Sequence, residues 1–164
     1  GTSSKQIAEK LIAEHGFDED PGTIMGEKVL LEKKFQDEIN LFPQALEVLR
    51  ELRKRYRLAI ATSARKEMLE YIDSRFGLTS FFDAAVHSDM VERTKPEPDI
   101  FLRAAEELRI DPAGCGVVED AINGILAARV AGMTAIAITN TFPRDSFPMA
   151  DHIINQLSDL RTIE

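Results

Sequence analysis

Three apolar runs in this chain end in groups that could handle a phosphate. LAIAT at 58–62 ends in Thr62, and Ser63 follows it. A run near 82–87 leads on to Lys95 in TKPEPD, where Pro96 and Pro98 stiffen the backbone beyond the lysine. A third run, at 116–118, leads straight into Glu119–Asp120. A hydroxyl and the amides of a helix start can hold an anion. A lysine on a rigid loop can neutralise a phosphoryl group, and hard carboxylate oxygens suit Mg2+. Adjacent residues on an extended strand point opposite ways, so both carboxylates reach one centre only where the chain turns. Each group also has a plain structural use. Thr62 and Ser63 suit the cap of a helix. Lys95 suits a solvated surface, and Asp120 suits the positive end of a helix dipole. It is their recurrence after three successive strands that reads as one pocket for a divalent cation and a phosphate.

The elements that must position these groups follow from apolar spacing. Ile7, Leu11 and Ile12 recur at helical intervals within 3–15. A second helix is expected over 24–39, with Val29, Leu30, Leu31, Phe35 and Ile39 on its apolar side. From Pro43 onward the pattern becomes helix, strand, helix, strand. Helices are expected at 43–54, 65–76, 98–108 and 121–131. Strands are expected at 58–62, 82–87, 116–118 and 134–138, with short final elements at 153–154 and 157–163. LAIAT does not alternate strictly, which suits a strand buried on both faces of a parallel sheet. The expected fold class is therefore α/β, a Rossmann-like parallel sheet core. The expected division is a small helical unit, or half of one, over 1–40 and the core over 41–164. In such sheets ligands bind beyond the carboxyl ends of the strands. Gly124, Ala127, Ala128 and Ala131 keep the helix after Glu119–Asp120 slim enough to press against the sheet.

The bulk composition excludes several classes. The 164 residues are 44% hydrophobic and 29% charged, enough apolar material for a core. The net charge is −8, and the densest basic run, RKRYR at 53–57, reads as a solvated helix end, so no nucleic-acid partner is expected. No run approaches the roughly 20 apolar residues that span a membrane. The single cysteine, Cys115, rules out an internal disulfide, is expected to be buried, and fits a reducing, cytoplasmic setting. Dinucleotide, P-loop, zinc-protease and nucleophile-elbow motifs are all missing. His15, His87 and His152 are scattered, and only His87 stands near the presumed rim.

Three stretches carry a family likeness: LFPQALEVLRELRKRYRLAIATSA, FGLTSFFDAAVHSDMVERTKPEPDIFLRAAEELRI and CGVVEDAINGILAARVAGMTAIAI. With K-P-x-P-D-I-F and E-D-x-x-x-G-I-x-A-A in this order, the chain resembles the haloacid dehalogenase-like hydrolases. The likeness falls in the branch of beta-phosphoglucomutase, phosphoglycolate phosphatase and related sugar-phosphate phosphatases. The resemblance implies that Thr62 holds the transferring phosphoryl group and Ser63 contacts it through its amide. It implies that Lys95 neutralises that group, that Asp120 binds Mg2+ with Glu119 beside it, directly or through water, and that Asn123 shapes the site. It further implies that residues 1–40 are part of a small helical cap beside the core, and that GTSSK at 1–5 belongs to the cap's substrate-facing loop. Ser4 stands where the mutase has an arginine, which favours phosphatase over mutase. The expected partner is a small phosphorylated metabolite.

One family feature has no counterpart. Members open with an apolar strand ending in D-x-D, the nucleophile and the acid/base, and that strand lies between those read here as 58–62 and 116–118. Asp18 and Asp20 in GFDEDPG follow no strand and read as an ordinary acidic loop. Two open strand edges would cost about 1–3 kcal/mol for each unpaired buried group, against a typical net stability of about 5–15 kcal/mol. The expectation is that an N-terminal segment, or another polypeptide, supplies the strand, and that these 164 residues alone are inactive. A beta-phosphoglucomutase-like phosphomutase and a non-catalytic phosphate-binding regulator are the alternatives.

Overall fold

The computed structural model describes residues 4–16 and 20–163, with the side chains of residues 4–7 and 11 left out. The chain divides into two compact units, Thr2–Phe42 and Pro43–Glu164.

The first unit is a helical pair, α1 (Ser4–His15) and α2 (Pro21–Phe35). Helix α2 starts three residues before the expected Ile24. Asp20 provides the reason: its Oδ2 accepts from Gly22 N at 2.9 Å and Pro21 fills the first helical position. Asp20 is thus a helix cap, while Asp18 and the Gly1–Ser3 part of GTSSK lie outside the described residues. The apolar side of α2 is open, with Leu30, Leu31 and Phe35 all exposed.

The second unit is α/β. Its elements are α3 (Ala45–Leu52), β1 (Ala59–Ala61), α4 (Lys66–Phe76), β2 (Ala84–Val86) and α5 (Asp99–Leu108). They continue with β3 (Gly116–Glu119), α6 (Ile122–Val130), β4 (Thr134–Ile138) and β5 (His152–Ile154). Helix α3 begins at Ala45 and not at Pro43, because Gln44 takes a left-handed conformation at φ 62°. Helix α4 ends at Gly77, whose φ of 61° suits a residue without Cβ. The closing segment Leu157–Thr162 is a 3-10 helix.

All strand pairs are parallel. β1 pairs with β2, Ala59 to Ala61 opposite Ala84 to Val86. β3 pairs with β4 and β4 with β5, in the order β3-β4-β5. Among the described residues, the second edges of β1 and of β3 pair with no strand.

One core nevertheless joins the two sheets. Val86 of β2, Val117 of β3, and Ala135 and Ala137 of β4 pack with Ile100 and Phe101 of α5 and Ile125 of α6. Ala59 and Ala61 of β1 pack against the same cluster. β4 shows why its sequence alternates. Ala135 and Ala137 face this cluster, while Ile136 and Ile138 face a second one with Ile154, Leu157 and Leu160. The alanines allow α6 to approach closely. Burial of β1 on both faces was expected, but its residues are half-buried, and Val118 of β3 is 40% exposed. Both strands have an open edge, which accounts for the difference. Cys115 is half-buried, at the head of β3. No helix among the described residues is long and apolar enough to cross a membrane.

Candidate active site

The groups picked out by the sequence sit on loops that leave the carboxyl ends of the strands. Lys95, on the loop after β2, is only 4% exposed. Its Nζ makes an ion pair with Glu119 Oε1 and lies 4.7 Å from the centroid of the Phe101 ring. A buried ammonium needs such partners, because desolvation of an unpaired charge is costly.

Glu119 ends β3. Its Oε2 accepts from the backbone amides of Asp120 and Ala121, both at 3.2 Å, while Oε1 takes Lys95. The carboxylate lies against Gly124 of α6, where a Cβ would fall within 2.6 Å of Oε2. Glycine leaves that space for it. Asp120 stands at the turn into α6, and its Oδ2 accepts from the Thr141 hydroxyl at 2.6 Å. Thr141 lies on the loop after β4.

Hydrogen bonds tie these loops into one rim. Thr62 N donates to Val86 O at 2.9 Å, and Thr62 Oγ1 accepts from Ala64 N at 3.1 Å. Ser88 N and Oγ both donate to Ala64 O, at 3.1 and 3.2 Å. The loops after β1 and β2 are joined in this way. Lys95 and Glu119 join the loop after β2 to the end of β3, and Thr141 joins Asp120 to the loop after β4. Thr62 is half-buried and Ser63 exposed. Among the described residues neither bonds to Lys95 or Asp120. Thr62 reaches the rim through Val86, and Ser63 is followed by Ala64, which is bonded by Ser88. Asn123 lies in the first turn of α6.

The helix-cap alternatives are filled by other groups. The first amide of α4, Lys66 N, donates to Asp89 Oδ2 at 2.9 Å, so Asp89 and not Thr62 or Ser63 serves that helix start. Glu119, not Asp120, receives the amides leading into α6. The buried Nδ1 of His87 makes no hydrogen bond, although Asp89 Oδ2 lies 3.2 Å away.

Glu119 has both oxygens engaged by protein groups. Among the described residues no hydrogen bond reaches Asp120 Oδ1. Among the described residues no cluster of three or more His, Cys, Asp or Glu side chains gathers to cage a metal. A lone carboxylate oxygen still fits Mg2+, which commonly binds through one or two carboxylates and completes its shell with water and substrate phosphate. Sequence reasoning missed two participants, Thr141 and Phe101. Thr141 had one available signal, a hydroxyl just beyond a strand end.

A buried lysine–glutamate pair and an adjacent aspartate, all at the carboxyl ends of parallel strands, fit the family that most of the chain matches. It belongs to the haloacid dehalogenase-like hydrolases, whose family model covers residues 3–132. It is 36% identical over 104 residues to the beta-phosphoglucomutase of Bacillus subtilis, a match that covers 63% of this chain and 44% of the relative. It is 33% identical over 139 residues to the fructose-1-phosphate phosphatase YqaB of Escherichia coli, covering 84% of this chain and 73% of the relative. It is 36% identical over 129 residues to the bifunctional riboflavin kinase/FMN phosphatase of Arabidopsis thaliana. That match covers 76% of this chain but only 34% of the relative. Among solved structures, a beta-phosphoglucomutase from Clostridium difficile aligns with a TM-score of 0.83 at 22% identity, over 98% of this chain and 74% of that one. At that identity the likeness concerns the fold.

Proposed function

We propose that this chain forms the phosphate-handling part of a cytoplasmic, Mg2+-dependent phosphatase acting on small, sugar-type phosphate monoesters. The observation that carries the reading is the buried Lys95–Glu119 pair beside Asp120, on the rim where four strand-end loops meet. An ammonium held there by a carboxylate and an aromatic face is poised to neutralise an incoming phosphoryl group. Thr62 and the Ser63 amide would hold phosphoryl oxygens, and Asn123 would shape the loop beside them. Asp120 would hold Mg2+, with Glu119 beside it. The ion, when bound, supplies charge to offset the phosphoryl oxygens.

The attacking carboxylate is not among these groups. We place it on a strand seated between the open edges of β1 and β3, supplied by a preceding segment or by another polypeptide. Its oxygen attacks phosphorus, the ester P–O bond breaks, and a second acidic group protonates the leaving oxygen. Water then cleaves the aspartyl-phosphate and releases phosphate. Residues 1–40 would belong to a helical cap. Ser4 at the arginine position of the mutase favours hydrolysis over phosphoryl return to the sugar. The name of the fructose-1-phosphate phosphatase relative supports the substrate class.

The test uses the full-length protein with fructose 1-phosphate, measuring phosphate release, and with beta-glucose 1-phosphate, measuring glucose 6-phosphate. Phosphate release that requires Mg2+ and is abolished by Lys95→Ala and by Asp120→Asn is expected. Glucose 6-phosphate as the main product would favour a mutase. Unchanged turnover in either variant would sink the assignment. Phosphate binding without turnover would make the protein a regulator.

A further inference from the structure

We propose that Thr141 is a positioning residue that confines Asp120 to single-oxygen ligation and so favours Mg2+ over Ca2+ at this site. The inference rests on the reading of Asp120 as the metal ligand. The Thr141 hydroxyl donates its proton to Asp120 Oδ2 at 2.6 Å, within the short range expected for an O–H donor on an ionised carboxylate. Among the described residues, Oδ1 receives no hydrogen bond and is the oxygen left for a cation.

The loop that carries Thr141 is itself pinned. Thr139 N donates to Ile154 O at 3.0 Å, Thr139 Oγ1 lies 3.2 Å from Asn155 Oδ1, and Asn140 N donates to Ile138 O at 2.9 Å. The hydroxyl is therefore delivered from a fixed platform just past β4. Ca2+ accepts six to eight oxygens and readily takes both oxygens of one carboxylate. Mg2+ is smaller and holds to octahedral geometry. A donor fixed on Oδ2 penalises the two-oxygen mode and orients Oδ1 for the other. Partners of this kind, one bond removed from a metal, typically change affinity by about 10–100-fold when lost.

The experiment compares full-length wild type, Thr141→Val, Thr141→Ser and Asp120→Asn. Binding of Mn2+ is followed by the electron paramagnetic resonance of the free ion, and bound Mn2+ is then displaced with Mg2+ or Ca2+. Thr141 is exposed, so valine there leaves the core untouched, and Thr141→Ala serves as a second variant. The expected result is that Thr141→Val and Thr141→Ala shift the ratio of Mg2+ to Ca2+ affinity toward Ca2+ by about tenfold or more, while Thr141→Ser keeps the wild-type ratio. In turnover, Thr141→Val should need more Mg2+ yet regain the wild-type kcat at saturation. A wild-type ratio in Thr141→Val, with Mn2+ binding lost in Asp120→Asn, overturns the inference and leaves Asp120 as a ligand. Mn2+ binding absent from wild type, or unchanged in Asp120→Asn, removes the ligand reading and the inference together.

Discussion

Gly124→Ala should destabilise this protein, although by helix propensity alone it should do the reverse. Gly124 lies within α6, where alanine is favoured over glycine by up to about 1 kcal/mol. A Cβ there would fall within 2.6 Å of Glu119 Oε2 and closer still to the other carboxylate atoms. Contacts that short force a displacement, and the movable group is the Glu119 carboxylate. Its departure would break the bonds to the Asp120 and Ala121 amides and strip Lys95 of its counter-charge. The Lys95 side chain is 5% exposed and that of Glu119 11%, so solvent replaces little of what is lost. Removing one partner of a buried pair costs about 3–5 kcal/mol. Less the helix gain, the net loss is about 2–4 kcal/mol, a large share of the stability of a small domain. Urea denaturation of wild type and variant would measure it. The same substitution in a Glu119→Ala background should be neutral or stabilising, because the clash is gone. Gly124→Ala as stable as wild type would refute the reasoning, since Glu119 could then not be held where the geometry puts it.

Two further outcomes follow from titrating groups. Asp151 accepts from Ala135 N at 2.8 Å and pairs with Arg129 at 2.5 Å, and the amide bond first and the arginine next hold its carboxyl below the usual range. The unfolded chain then binds the proton more readily, so this stabilisation is full above the ordinary Asp value of about 3.9 and disappears as pH falls through the lower folded value. Urea midpoints of Asp151→Asn should lie below wild type near neutrality and converge with it in acid; a gap independent of pH would contradict this. Burial first, and the nearby Asp111 charge next, push the Cys115 thiol up, so its reaction with a disulfide reagent near pH 8 should lag well behind that of a free cysteine. Equal rates would show the thiol to be open.

The fold was legible wherever periodicity recorded burial. TAIAI alternates because β4 is covered on two faces by cores of different depth, and the expected strand at 134–138 is the observed one. The helices over 65–76 and 98–108 match α4 and α5 to within one residue, because Gly77 and the proline-rich loop mark their ends. What failed had non-local causes. LAIAT was read as buried on both faces, but a strand's burial depends on how many neighbours it has, and among the described residues β1 has one. Phe147 sits in a loop with no period, yet it is 2% exposed and part of the main core. A single aromatic side chain between prolines carries no sign of which element will receive it.

The site shows the same division more sharply. Residue type and strand-end position marked Lys95, Glu119 and Asp120 as expected site groups, and the fold pairs Lys95 with Glu119 and sets Asp120 beside them. Their division of labour was not readable, because it depends on contacts made across the sheet. Glu119 and Asp120 look interchangeable as adjacent acids. In the fold one is engaged by an ammonium and two amides, while the other has one oxygen that no described residue hydrogen-bonds. Gly124 was expected to let a helix approach the sheet, and its closest demand turns out to be room for a carboxylate. Thr141 is one of several small polar residues in TNTFP, and its neighbour Thr139 bonds elsewhere. Only the register of β4 against β3, which sets Ala137 beside Glu119, decides which of those hydroxyls arrives at Asp120. A one-residue slip would turn the side chains of β4 to the opposite faces. The alternation of TAIAI, which fixes that register through burial, therefore also decides which hydroxyl supports the proposed metal ligand.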